Sequence, residues 1–169
     1  GELASSAARS LARTLVARAA ADAQALPLAP FRAAYRKDPD PGHLAAQFGV
    51  DVLTVMRRIA LVTGPETGFV TCDGSGTLLF RKPVAGFALP RFGAACPLWP
   101  LYAALVRPGV PVRAVVSTTG PASARFQVLA WCQTRLSDGF GGPELREAAM
   151  LILPDMSARP AETLVVGST

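Results

Sequence analysis

Three cysteines, Cys72, Cys96 and Cys132, and one histidine, His43, are the residues of this 169-residue chain best suited to nucleophilic or metal chemistry. Their spacing assembles no recognisable site. No CxxC pair occurs, the number of cysteines is odd, and nothing in the sequence brings His43 to any of them, so neither a zinc site nor a disulfide framework is expected. A serine triad would need that single histidine and a GxSxG turn, which is missing. HExxH and the phosphate-cradling P-loop are missing too, and the glycines of residues 139–142 do not lead from a strand into a helix. One thiol survives as a chemical candidate. Cys96 precedes Pro97 at the start of an expected helix, where the positive end of the backbone dipole favours a thiolate. A small buried side chain is the plainer reading of the same position. The sequence is therefore expected to hold no catalytic residue, no metal and no cofactor.

Binding is the next possibility. Trp99 and Trp131 are the two tryptophans, and each is either core or the wall of an apolar pocket. Lys+Arg number 17 against 12 Asp+Glu, giving a formal net charge of +5. A basic balance suits nucleic acid or a small molecule carrying several phosphates, or else simply solvates the surface. Arg81, Arg91 and Arg107, with Lys82 and Arg113, lie near expected loops and strands, where two or three together could grip phosphates.

The elements that must position these residues change period partway along. Residues 3–25 read as a helix with Leu3, Ala7, Leu11 and Leu15 on one stripe, ended by Pro27. A short helix follows at 30–36, then a loop over 37–42. Residues 43–59 read as helix, tight turn at Gly49 and helix, with Asp51 as N-cap of the second. From Gly68 the period drops to two. Strands are expected at 69–72 and 77–80, joined by Asp73-Gly74-Ser75-Gly76, then a helix from about Cys96. Further strands are expected at 112–118, 125–134, 148–153 and 163–166. Both faces of 125–134 are partly apolar, which marks a central strand. The fold class is α+β: N-terminal helices (residues 1–64), then an antiparallel sheet with an inserted helix (residues 65–169) of GAF- or PAS-like build.

Half of the residues are hydrophobic, at 50%, which supports a packed core and argues against disorder. The longest apolar run, 92–106, is broken by Pro97 and Pro100 and is too short for a bilayer span. No signal peptide is visible, so a cytoplasmic location without membrane contact is expected. Residues 44–59 also have helix-turn-helix spacing, in which Arg57 and Arg58 would face DNA. An ordinary helical hairpin explains the same pattern.

The block Pro90-Arg91-Phe92-Gly93-Ala94-Ala95-Cys96-Pro97-Leu98-Trp99 resembles the signature of the short-chain fatty acyl-CoA regulator family. Arg107-Pro108-Gly109 and Leu44-Ala45-Ala46-Gln47-Phe48-Gly49-Val50 add to the likeness, which runs over roughly residues 25–169. It implies a ligand-sensing C-terminal domain of a bacterial transcription regulator that binds a short-chain acyl-CoA and controls carbon-metabolism genes. Such regulators carry an XRE-type DNA-binding head and an ImmA/IrrE-like middle region, and a homodimer is expected. DNA contact would then belong to a head that this sequence lacks, and a cysteine-rich tail beyond Thr169 is lacking too. On this reading Phe92, Cys96, Trp99 and Trp131 line the acyl pocket, and Arg81, Arg91 and Arg107 hold the phosphates. The alternatives are a dimerisation module without ligand and direct DNA contact through residues 44–59.

Overall fold

Capping side chains open three of the first four helices. In the computed structural model, which describes residues 5–90, 96–118, 124–136, 140–155 and 163–166, Ser5 accepts the Ala8 amide at 3.1 Å and opens α1 (Ser6–Ala25). Pro27 separates α1 from α2 (Leu28–Lys37), whose last turn holds Arg36 and Lys37 beside the negative end of the helix. Asp40 accepts the amides of Gly42 at 2.7 Å and His43 at 3.0 Å and starts α3 (Pro41–Phe48). The expected loop over 37–42 is therefore shorter than predicted, because Pro41 suits a first helical turn. Gly49 closes α3 at φ 66°, a left-handed conformation that glycine adopts without a Cβ clash. Asp51 accepts the Thr54 amide at 2.8 Å at the start of α4 (Val52–Val62), as its position predicts.

These helices form one compact unit, residues 1–62. Leu26, Phe31, Leu44, Leu53, Met56 and Ile59 are fully buried in it. Phe31 meets Tyr35 with ring centres 6.3 Å apart and Phe48 at 6.0 Å. The inner side of α1 is the side of its leucine stripe, but it is only partly covered: Leu11 is 53% exposed and Leu15 half-buried, while Asp22, on the same side two turns after Leu15, is buried. A polar tie closes that end. Arg57 donates to Asp22 from Nε at 2.7 Å and from Nη2 at 3.0 Å, and Nη2 also reaches Thr54 Oγ1 at 2.7 Å. Arg58 Nε donates to the Leu26 carbonyl at 2.9 Å. Both tie α4 to the end of α1, and a bidentate guanidinium–carboxylate pair fixes rotation as well as distance.

The second unit, residues 63–169, is a sheet with one helix. Its strands are β1 (Gly68–Asp73), β2 (Leu78–Lys82), β3 (Val112–Thr118), β4 (Arg125–Leu136), β5 (Glu144–Pro154) and β6 (Thr163–Val166), with α5 (Pro100–Val106) between β2 and β3. The order across the sheet is β2-β1-β5-β4-β3-β6. All pairs are antiparallel except β3 with β6. The α+β class and the helix inserted after the first hairpin are as expected, and β4 is central. Side chains alternate across the sheet. One face carries Val70, Cys72, Phe126, Val128, Ala130, Cys132, Ala148, Met150 and Ile152 and packs with α5. The other carries Phe69, Thr71, Leu129, Ala149 and Leu151, all buried. Lys82 donates to the carbonyls of Gly64, at 2.5 Å, and Thr67, which anchors the entry to β1.

The buried pair in the helical unit yields a measurable expectation. Asp22→Ala leaves the Arg57 guanidinium without its carboxylate, and its side chain is only 17% exposed. We expect a loss of about 2 kcal/mol in urea unfolding followed by far-UV circular dichroism. A loss below about 0.5 kcal/mol would mean that the pair contributes no more than an exposed one.

Candidate ligand-binding face

Helix α5 carries the candidate site against the sheet. It starts at Pro100, not near Cys96 as expected: Pro100 takes the first-turn role assigned to Pro97, and Trp99 sits at the N-cap. Residues 97–99 form a turn in which the Trp99 amide donates to the Cys96 carbonyl at 2.9 Å. Cys96 thus stands four positions ahead of the helix, so the dipole argument for a reactive Cys96 loses its geometry. Trp99 is 3% exposed. Its ring lies 5.5 Å from that of Phe87, and Phe87 lies edge-on to Phe126 at 5.4 Å. Such aromatic contacts add about 1 kcal/mol each beyond the area they bury. Leu101, Ala104 and Leu105 of α5 complete the packing, with Leu78, Leu89, Cys96 and Tyr102 half-buried at its margin.

Tyr102 closes the site against the first hairpin. A Cβ on Gly76 would stand 2.4 Å from the Tyr102 hydroxyl, and Gly76 also has φ +82°. Two independent constraints therefore demand glycine there. Asp73 Oδ1 accepts the Ser75 amide at 2.9 Å and the Thr77 amide at 3.1 Å, which holds the turn rigid. These bonds depress the Asp73 carboxyl, the Ser75 side-chain bond acting most strongly.

The predicted site residues separate into several places. Trp131 lies on the face opposite Trp99, because Ala130 and Cys132 point into the α5 core and the side chain between them must point away. One pocket cannot be lined by both tryptophans, a correction to the expected lining. The Trp131 Nε1 is buried with no hydrogen-bond partner among the described residues. Arg81 stands on edge strand β2, level with Val70, and donates to the Pro90 carbonyl. Arg107 follows α5 at its other end, where Arg146 donates to the Leu105 carbonyl at 3.5 Å. The structure does not bring Arg81 and Arg107 together. Arg91 and Phe92 lie outside the described residues. Arg57 and Arg58 are engaged within the helical unit by the bonds given above.

Sequence reasoning missed Phe87 and Arg146 as neighbours of this face. Phe87 falls in an irregular stretch with no periodicity to interpret. Arg146 was hidden because β5 begins four residues earlier than predicted. Alternation along a longer strand would have placed it with Ala148 and Met150.

The chemistry of this face is quiet. Burial pushes the Cys72 thiol up to about 12, with Asp73 and Cys132 adding to the effect. Burial raises Cys132 as well. Both thiols are thus held neutral and unreactive. Among the described residues no three His, Cys, Asp or Glu side chains are grouped to hold a metal, and no helix is long and apolar enough to cross a membrane. His43 Nδ1 lies 2.8 Å from Asp38 in the helical unit.

These features define an α+β domain whose buried groups pack rather than react. Residues 64–168 match the family described as "Short-chain fatty acyl coenzyme A regulator, C-terminal", and the chain belongs to it. The match covers nearly the whole sheet unit. The chain is 33% identical over 147 residues to the propionyl-CoA carboxylase regulator of Cereibacter sphaeroides, covering 83% of this chain and 32% of that protein. It is 30% identical over 115 residues to the HTH-type transcriptional regulator RamB of Mycobacterium tuberculosis, covering 64% and 24%. The chain thus spans a third or less of these relatives. A solved Mycobacterium tuberculosis transcriptional regulator superposes with a TM-score of 0.76 at 27% identity, over 96% of this chain and 54% of that one. The relatives are named as regulators, not as enzymes.

The thiols give the test. Native protein at pH 8 should label with a thiol reagent at Cys96, which is half-buried, and should label at Cys72 and Cys132 only on unfolding. The raised Cys72 value also predicts a pH effect. The folded state keeps the proton after the unfolded state has lost it, so stability is flat below the ordinary value of 9.0 and falls as pH rises towards about 12. Three rapid labels in native protein, or stability that rises above pH 9, would contradict this.

Proposed function

We propose that the sheet unit senses a short-chain acyl-CoA on behalf of a transcription regulator, by reversible binding without chemistry. The observation that carries this reading is the coincidence of the family match, residues 64–168, with the compact unit at 63–169. The relative in Cereibacter sphaeroides is named for control of a propionyl-CoA enzyme, which supports an acyl-CoA effector. The antiparallel sheet with its inserted helix supports the GAF- or PAS-like comparison.

On this reading the acyl end enters at the margin of the α5 face, beside Cys96, Leu89 and Tyr102, with Trp99 and Phe126 as the apolar floor. Arg81 and Arg107 are the described cations available for the phosphates, from opposite ends of the face, with Arg91 in the stretch between β2 and α5. Differential binding of the effector to two arrangements of the domain would bias DNA binding elsewhere in the regulator. DNA contact through residues 44–59 draws no support from the geometry, since Arg57 and Arg58 are spent on Asp22, Thr54 and the Leu26 carbonyl.

Calorimetric titration with propionyl-CoA tests the reading. Binding in the range of about 1–100 µM is expected, weakened roughly tenfold by Arg81→Ala with Arg107→Ala. No heat and no thermal shift at millimolar ligand would sink it.

A further inference from the structure

Phe87 is the middle one of three packed rings. Trp99 lies 5.5 Å from it on one side, and Phe126 lies 5.4 Å from it on the other, edge to face. Phe87 itself is 5% exposed. Its ring fills the space between the N-cap of α5 and strand β4.

The ring is carried by a tight turn and not by a strand of the sheet. The Phe87 amide donates to the Val84 carbonyl at 3.3 Å. Two close approaches pin that turn to the sheet. A Cβ added at Gly68 of β1 would stand 2.6 Å from Val84 Cγ1, so Val84 rests directly on the β1 backbone. A Cβ added at Gly86 would meet Phe126 Cζ and Ala124 Cβ at 3.4 Å, so the backbone of the turn itself rests on Phe126. A ring held from both ends of its turn, in a close-packed interior, is a fixed wall.

We infer that Phe87 sets the length of acyl chain that the domain accepts. The inference rests on the acyl-CoA reading, in which the chain enters beside Leu89, Cys96 and Tyr102 and lies on Trp99 and Phe126. A propionyl group ends at that margin. A longer chain has to pass between Trp99 and Phe126, where the ring of Phe87 already stands. Truncating a large buried side chain leaves a cavity, because its neighbours relax only in part. An apolar cavity of this kind takes apolar ligand atoms. Loss of the ring therefore turns the wall into a slot between Trp99 and Phe126.

Calorimetric titration of the whole chain with propionyl-CoA and with its longer homologue hexanoyl-CoA tests this. Wild type should bind hexanoyl-CoA no more tightly than propionyl-CoA. Each newly buried methylene is worth roughly fourfold in Kd, so Phe87→Ala should prefer hexanoyl-CoA by on the order of tenfold. Leu151→Ala opens a cavity on the opposite face of the sheet and should keep the wild-type ratio of the two affinities. That ratio separates a length-limiting wall from a ring that merely stabilises the core. A wild type that already prefers hexanoyl-CoA, or a Phe87→Ala ratio equal to that of wild type, overturns the inference and leaves the acyl-CoA reading standing. Failure of wild type to bind either thioester overturns both. Where Phe87→Ala loses its circular dichroism spectrum, Phe87→Leu decides. Its ratio should move several-fold in the same direction, and an unmoved ratio overturns the inference.

Discussion

The indole of Trp99 packs at the join between α5 and the sheet, 5.5 Å from Phe87, which in turn meets Phe126 of β4. This contact ties an irregular loop, a helix and the central strand into one body. Without it the seven residues of α5 would have little reason to form a helix, since so short a segment is unstable in water unless its apolar side is buried. The position of Cys96, Leu98 and Tyr102 then follows from the position of Trp99. So does the demand for glycine at position 76, where the Tyr102 hydroxyl comes down on the hairpin turn.

Much of this architecture is legible in the residues because local and long-range preferences agree. Strand β3 falls on Val112–Thr118 as predicted, where β-branched residues alternate between proline-rich and glycine-rich boundaries. The turn at Gly49 and the cap at Asp51 follow from backbone geometry and one carboxylate. The central place of β4 follows from apolar residues on both of its faces. Disagreements arise where a partner distant in sequence decides. Glu144, Leu145, Arg146 and Glu147 have weak strand preference and become strand because β4 pairs with them. The burial of a carboxylate, Asp22, on the inner side of α1 depends on Arg57, thirty-five residues away, which apolar spacing cannot reveal. The choice between Pro97 and Pro100 as the first helical residue depended on where Trp99 could be buried.

The candidate site shows the same division. Trp99 and Cys96 were identifiable from a contiguous block, and both belong to the α5 face. Trp131 was grouped with them by residue type alone, and strand alternation puts it on the other side of the sheet. The arginines were grouped by proximity to loops, yet Arg81 and Arg107 sit at different ends. A binding reading therefore leans on the apolar margin near Cys96 and Tyr102 more than on any preformed cluster of cations. It also accounts for the muted thiols: a sensor that binds reversibly gains nothing from a reactive cysteine in its core, and burial holds Cys72 and Cys132 neutral.

The separation of the two tryptophans by the sheet allows the central claim to be tested optically. In a Trp131→Phe protein all indole fluorescence comes from Trp99, and in a Trp99→Phe protein all of it comes from Trp131. Titration with propionyl-CoA should change the emission of Trp99 in a saturable manner and leave that of Trp131 unaltered. A saturable response from Trp131 alone, or from neither residue, would contradict the assignment of ligand binding to the α5 face.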